Sequence, residues 1–263
     1  MDDNHVLTEI REDGVATVTL NRAEVHNAFN DAMIADLTGV LRRLGDDGAV
    51  RAVVLRAEGK SFSAGADLGW MQRMANYGHA ENLADAGALA ELMRVLNFLP
   101  KPTVARVQGP AFGGGVGLVA CCDIAIASDA ASFSLSEVRL GLIPAVISPY
   151  VVAAIGERAS RRYFLTAERF DAAEALRLGL VHRVVPAEEL DAGVDAVLAR
   201  LAEGGPNAQH AAKDLIFAVA HRPVDAGLIR DTAERIATIR ASAEGREGLA
   251  GFLEKRKPAW TAR

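Results

Sequence analysis

Two turns rich in glycine and alanine, Ser63-Ala-Gly-Ala-Asp67 and Gly113-Gly-Gly115, are where this chain could best do chemistry. Each follows an apolar run of β type and stands where the chain should enter a helix. Small residues there let the backbone approach a ligand and leave N–H groups pointing outward. The start of a helix adds partial positive charge to those donors. Two such turns converging on one point would form an oxyanion hole, which stabilises an enolate or a tetrahedral oxygen. The chemistry implied is reaction next to a carbonyl.

Other reactive residue types are poorly arranged for catalysis. His26, His79, His182, His210 and His221 are scattered, with no serine–aspartate constellation around any of them. The two cysteines, Cys121 and Cys122, are sequence neighbours and poor disulfide partners. They have no histidine cluster to make a metal site and read as small core residues. No metal is expected. Asp67 reads as a helix-start stabiliser rather than an acid. Trp70, Met71 and Met74 are placed either to line a pocket or to face their own core. Ser148 and Tyr150 are further candidate polar contacts.

The elements that position these turns alternate between strand and helix. Val15–Leu20, Ala52–Leu55, Thr103–Val107, Asp123–Ala127 and Ser132–Leu135 have the β-branched content and apolar character of strands. Asn30 or Asp31 caps a helix carrying Met33, Leu37, Val40, Leu41 and Leu44 at helical spacing and ending at Gly45. A second helix spans about 81–98 and stops at Pro100-Lys-Pro102; a third follows the glycine triplet through Cys122. This order predicts an α/β fold with largely parallel pairing. Beyond Ala187 the pattern becomes helical: Ala187–Glu203, Asn207–His221, Val224–Ala241 and Ala243–Lys255, with Pro186, Pro206 and Pro223 near the starts. Such a tail packs either on its own core or on a neighbouring subunit.

The chain has 263 residues, 50% hydrophobic and 24% charged, enough for a full core. Its net charge of -5 offers no general attraction to nucleic acid or anionic membrane. Met1-Asp-Asp-Asn-His5 lacks a basic leader, and the longest apolar stretches are too short or too interrupted to span a bilayer. A soluble, cytoplasmic protein is expected.

The motifs add up to a resemblance. Leu20-Asn-Arg-Ala-Glu-Val-His-Asn-Ala28, Ser61-Phe-Ser-Ala-Gly-Ala-Asp67, Gly109-Pro-Ala-Phe-Gly-Gly-Gly-Val-Gly117, Cys122-Asp-Ile124, Ser136-Glu-Val-Arg-Leu-Gly-Leu-Ile-Pro144 and Gly251-Phe-Leu-Glu-Lys-Arg-Lys-Pro258 resemble the enoyl-CoA hydratase/isomerase (crotonase) family in order and spacing. The resemblance implies a spiral of ββα units over residues 1–203. It also implies a helical region over 204–263 that builds trimers or dimers of trimers. The implied substrate is an acyl-CoA thioester, with no separate cofactor because coenzyme A arrives on the substrate. The thioester oxygen would be bound by the N–H groups of Ala64 and Gly114. Contacts to coenzyme A would come from Ala64, Gly65, Ala66, Asp67 and Leu68, flanked by Val25. Lys255 matches a basic residue that approaches the CoA phosphates, in the same or a neighbouring subunit.

Family hydratases commonly use two glutamates. Here one matches Glu137 and the other falls on Gly117. Glu137 is the expected general acid/base: it sits among Phe133, Leu135, Val138 and Leu140, where burial would disfavour the ionised form. A single carboxylate suits a one-glutamate hydratase or a Δ3,Δ2-enoyl-CoA isomerase. The run Ser136–Tyr150 resembles hydratases of branched substrates, of the methylglutaconyl and isohexenylglutaconyl type, which makes a branched or carboxylated enoyl-CoA the first expectation. Competing readings are a catalytically silent acyl-CoA binder and an RNA-binding relative; the charge speaks against the second. If the missing side chain is the only deficit, Gly117→Glu should raise hydration of crotonyl-CoA.

Overall fold

The computed structural model describes residues 4–261. Strands β1 (Val6–Ile10) and β2 (Val15–Leu20) form an antiparallel hairpin, and helix α1 (Asp31–Asp46) leads on to β3 (Ala52–Ala57). Asn30 caps α1, its side chain accepting the Met33 N–H at 2.8 Å, so the first of the two expected capping residues is used. Helices α2 (Leu68–Met74) and α3 (His79–Asn97) precede β4 (Thr103–Val107), β5 (Ala111–Phe112) and α4 (Gly114–Cys121). There follow β6 (Ile124–Ser128), β7 (Ser132–Ser134), α5 (Ser148–Thr166), β8 (Phe170–Asp171), α6 (Ala172–Leu178) and β9 (Arg183–Val185). Four helices close the chain: α7 (Leu190–Glu203), α8 (Pro206–Val219), α9 (Ala226–Ala241) and α10 (Ala243–Leu253).

The main sheet runs β1-β2-β3-β4-β6-β9, parallel except for the β1–β2 hairpin. A three-stranded sheet, β5-β7-β8, is set apart from it. Parallel strands must be covered on both faces, and these are. Leu37 and Leu41 of α1 and Leu92, Met93 and Leu96 of α3 pack on one face, over Val18, Val53 and Leu55. On the other, Leu190, Val194 and Leu198 of α7 pack over Val54, Val104 and Ile126.

The last three helices differ from everything before them. Among the described residues, α8 buries none, α9 only Leu228 and α10 only Gly251, while Ile216, Ile229, Phe252 and Leu253 are exposed. Their main polar tie to the sheet is Lys213, whose Nζ donates to Asp123 Oδ2 at 2.8 Å. That carboxylate also accepts the N–H and hydroxyl of Thr103. Asp123, expected inside a strand, is therefore the anchor just before β6.

Candidate active site

The two glycine-rich turns meet. Gly65 has φ +89°, and a methyl placed on it would stand 3.1 Å from the Phe112 carbonyl oxygen. Gly113 has φ +49°; a methyl there would lie 4.0 Å from Gly65 Cα and 3.1 Å from Glu137 Oε1. Both the left-handed conformation and the close approach call for glycine. The absence of side chains brings the first loop, the start of α4 and the Glu137 carboxyl to one point.

A buried polar scaffold fixes the first loop. Asn27 is fully buried: its Oδ1 accepts the Arg22 N–H at 2.9 Å, and its Nδ2 donates to the carbonyls of Glu58 (2.8 Å) and Ser61 (2.9 Å). The Ser63 hydroxyl donates to the Asn27 carbonyl at 2.9 Å and accepts the Gly65 N–H at 3.2 Å. A single parallel bridge then joins Phe29 to Ala66, made by the Phe29 N–H to the Gly65 carbonyl and the Asp67 N–H to the Phe29 carbonyl. The bridge uses residues 65 and 67 and turns the N–H of Ala66 away, with no acceptor among the described residues. The N–H of Gly114, in the first turn of α4, has none either.

This arrangement corrects one expectation. The N–H of Ala64 donates to the His26 carbonyl at 2.9 Å and is not free to bind a ligand. The free donor of the first loop is two residues on, at Ala66. Nothing in the residue types distinguishes the two alanines; the difference lies in which strand edge Phe29 pairs with.

Glu137 opens a short 3-10 turn, Glu137–Leu140. Its Oε2 is buried with no hydrogen-bond partner among the described residues. Burial raises its carboxyl above the ordinary range, opposed by a hydrogen bond from its own backbone N–H. A cleft of about 730 Å³ opens in front of it. Ala64, Gly65, Ala66, Gly113, Gly114 and Glu137 form its polar end, and Trp70, Met71, Met74, Leu89, Val146 and Ile147 are among its apolar walls.

The other expected contacts lie at the rim or farther off. Asp67 caps α2, accepting the Trp70 N–H at 3.1 Å, and pairs with Arg22 at 3.2 Å. Burial alone would raise this carboxyl, but the Trp70 N–H and the Arg22 guanidinium hold it below the usual value. Leu68 is exposed beside it, and Val25 is half-buried in the 3-10 turn leading to His26. Lys255 is exposed beyond α10 and is not among the residues lining the cleft. The Ser148 hydroxyl donates to the Ala145 carbonyl at 2.7 Å, and neither it nor Tyr150 lines the cleft. Cys122 is buried, and that burial pushes its thiol up to about 12, as an inert core residue requires.

Gly117 has no room for a side chain. A Cβ there would fall 2.3 Å from Ile147 Cγ2 and 2.9 Å from Ile147 Cβ, with Met93 Cε at 3.2 Å. Ile147 is 2% exposed, so a side chain at position 117 would have to displace a packed residue. The conditional gain in crotonyl-CoA hydration from Gly117→Glu presumes room for a side chain, and Ile147 already fills that space.

The sequence model of one family, enoyl-CoA hydratase/isomerase, matches residues 10–263. The chain belongs to this family. A solved hydratase/isomerase (crotonase) from Legionella pneumophila is 49% identical, with a TM-score of 0.92 over 97% of this chain and 98% of that one. A solved enoyl-CoA hydratase from Shewanella pealeana is 47% identical, with a TM-score of 0.94 over 97% and 96% of the two chains. A Thermus thermophilus relative described as an enoyl-CoA hydratase is 35% identical over 96% of this chain and 99% of its own length. The fold of this hydratase/isomerase is accordingly the crotonase fold with a helical C-terminal region. Family membership implies an acyl-CoA thioester as its substrate. No helix among the described residues is long and apolar enough to cross a membrane.

Proposed function

We propose that this hydratase/isomerase adds water across the double bond of a branched enoyl-CoA, with Glu137 as the acid–base group. The observation that carries the reading is Glu137 Oε2, a buried carboxyl oxygen without a partner, in a carboxyl packed against Gly113. In this reading the thioester oxygen accepts the N–H groups of Ala66 and Gly114. Glu137 takes a proton from water as the water oxygen attacks C3 and the C2–C3 π pair moves toward the thioester. The two N–H donors stabilise the resulting enolate. The same carboxyl then gives its proton to C2, so hydrogen and hydroxyl both come from one water. Coenzyme A enters as part of the substrate, and no other cofactor is needed.

The apolar walls and the likeness of Ser136–Tyr150 to hydratases of branched substrates support a branched acyl group. No lysine, arginine or histidine lines the cleft among the described residues. A carboxylated acyl group would need a cation from outside it, so the cleft supports the branch over the carboxylate. Isomerisation of a 3-enoyl-CoA to a 2-enoyl-CoA is the second reading. Ile147 over Gly117 favours it, because no side chain from α4 can orient a water and isomerisation needs Glu137 alone.

The same proposal takes residues 1–203 as the catalytic spiral and 204–263 as an assembly region. It makes the protein a cytoplasmic trimer or dimer of trimers, acting on acyl-CoA rather than nucleic acid, with Lys255 reaching CoA phosphates across an interface. The exposed apolar side chains of α8 to α10 and the net charge of -5 support these parts. The test is a panel of straight and branched 2- and 3-enoyl-CoA thioesters, with product position read by NMR. Hydration of 3-methylcrotonyl-CoA, abolished by Glu137→Gln, is the expected result. Conversion of 3-enoyl to 2-enoyl thioesters without hydration would give the second reading, and full turnover in Glu137→Gln would reject both.

A further inference from the structure

The cleft contains a second carboxylate, on an element that the glycine turns do not involve. Asp85, on α3, lines the same cleft as Glu137. Its Oδ1 accepts the indole N–H of Trp70 at 2.9 Å, and Trp70 is 4% exposed. Its Oδ2 carries no hydrogen bond or ion pair among the described residues. The flanking residues Ala84 and Ala86 are exposed, so the Trp70 bond, rather than burial of α3, aims this side chain.

A buried indole N–H needs an acceptor, and that need explains one oxygen of Asp85. It does not explain a charge. An asparagine or a hydroxyl would satisfy Trp70 equally, so the indole does not account for the second carboxylate oxygen of this half-buried residue in the cleft. That oxygen is available to a hydrogen-bond donor arriving with the reactants. Position 117 supplies no such group, because Ile147 occupies its side-chain space.

We propose that Asp85 is a substrate-facing residue whose Oδ2 accepts a hydrogen bond from the hydroxylic reactant, the water that adds or the β-hydroxyl of the product. This rests on the hydration reading, in which Glu137 moves the proton and Asp85 orients the oxygen. The ligand class is therefore a β-hydroxyacyl thioester, and the Trp70–Asp85 pair is the device that recognises its hydroxyl.

Asp85→Asn separates the two oxygens: the amide oxygen still accepts the Trp70 N–H, while the unpartnered acceptor becomes a donor. Trp70→Phe does the reverse, removing the indole donor and keeping the carboxylate. Two rates are measured for each variant: hydration of 3-methylcrotonyl-CoA, and exchange of the α-protons of butyryl-CoA with D2O. Exchange uses Glu137 and the oxyanion donors but no added water. The expected result is a fall of at least tenfold in the ratio of hydration to exchange for Asp85→Asn, and a smaller fall in that ratio for Trp70→Phe. A ratio within twofold of wild type in Asp85→Asn overturns the assignment, as does a ratio that falls further in Trp70→Phe. Failure of the underlying reading looks different: the wild type then exchanges without hydrating, or Glu137→Gln keeps both rates, and Asp85 loses its role with it.

Discussion

Glu137 combines a raised carboxyl, a partnerless oxygen and two backbone donors at one end of the cleft. Removing its proton-transfer capacity with Glu137→Gln should lower kcat by about 10²–10⁴-fold while leaving acyl-CoA affinity nearly unchanged, as steady-state kinetics and calorimetric titration would reveal. As the base for hydration it must be ionised. The acid limb of kcat/KM should therefore lie above the ordinary glutamate value and disappear in the variant. Stability should move the other way. A carboxyl raised by burial destabilises the fold once pH exceeds its unfolded value, so Glu137→Gln should melt higher than wild type near pH 7. Acidification to below pH 4 should erase that gain, because both side chains are then neutral. At Gly117 the expectation is a penalty: Gly117→Glu alone should cost about 1–3 kcal/mol through overpacking against Ile147 and gain no crotonyl-CoA hydration. Denaturant titration and the hydration assay check the two halves. Glu137 was singled out by its match to a family glutamate, and the burial expected from its apolar neighbours is seen for its Oε2. The Ala66 donor and the Ile147 contact were not legible in the sequence, since each depends on a pairing between segments distant along the chain.

Between elements, the joint that matters is the start of α2. Asp67 holds it by capping Trp70 and pairing with Arg22, which also donates to the Ala28 carbonyl at 2.5 Å. Asp67→Ala removes a cap and a charged hydrogen bond, and should destabilise the protein by about 2–4 kcal/mol. Because the Asp67 carboxyl is depressed in the folded state, its contribution is complete above its unfolded pKa. It is lost as pH falls through the lower folded value. Unfolding free energies of wild type and Asp67→Ala, measured from pH 7 downward, should converge in acid. Asp67 read correctly from sequence as a helix-start residue, and four of the six strands of the main sheet, β2, β3, β4 and β6, read within two residues. The expected helix over 81–98 begins two residues earlier, at His79, and the first segment of the expected 187–203 helix is a 3-10 turn, Ala187–Glu189. Helix α5 escaped the apolar pattern because Gly156 breaks it with φ +77°. The short elements β8, α6 and β9 carry too few residues for any periodicity to register.

For the whole molecule, the helical tail after Pro206 is the feature that a single chain does not account for. Helices normally bury an apolar face, yet Phe252 is 81% exposed and α8 buries nothing among its described residues. Light scattering at micromolar concentration should give a mass of three chains or six. If assembly supplies the missing burial, the melting temperature should rise with protein concentration. A monomer at every concentration would reject both the trimer and any role for Lys255 across an interface. The sequence carried the helices themselves plainly. Whether their apolar side chains faced inward was undecided there, because periodicity reports a face without saying what covers it.

The fit between Gly117 and Ile147 also bears on how this chain can change over time. A second carboxylate on α4 requires two substitutions, one opening the space and one filling it. Glutamate arriving first meets a wall, and a smaller residue arriving first at 147 leaves a cavity in the core. Each single step should therefore cost stability, so a lineage acquiring two-carboxylate chemistry would pass through a less stable intermediate. The route opens only if the first step comes with a stabilising change elsewhere. Packing at one glycine thus acts as a historical ratchet on the reaction.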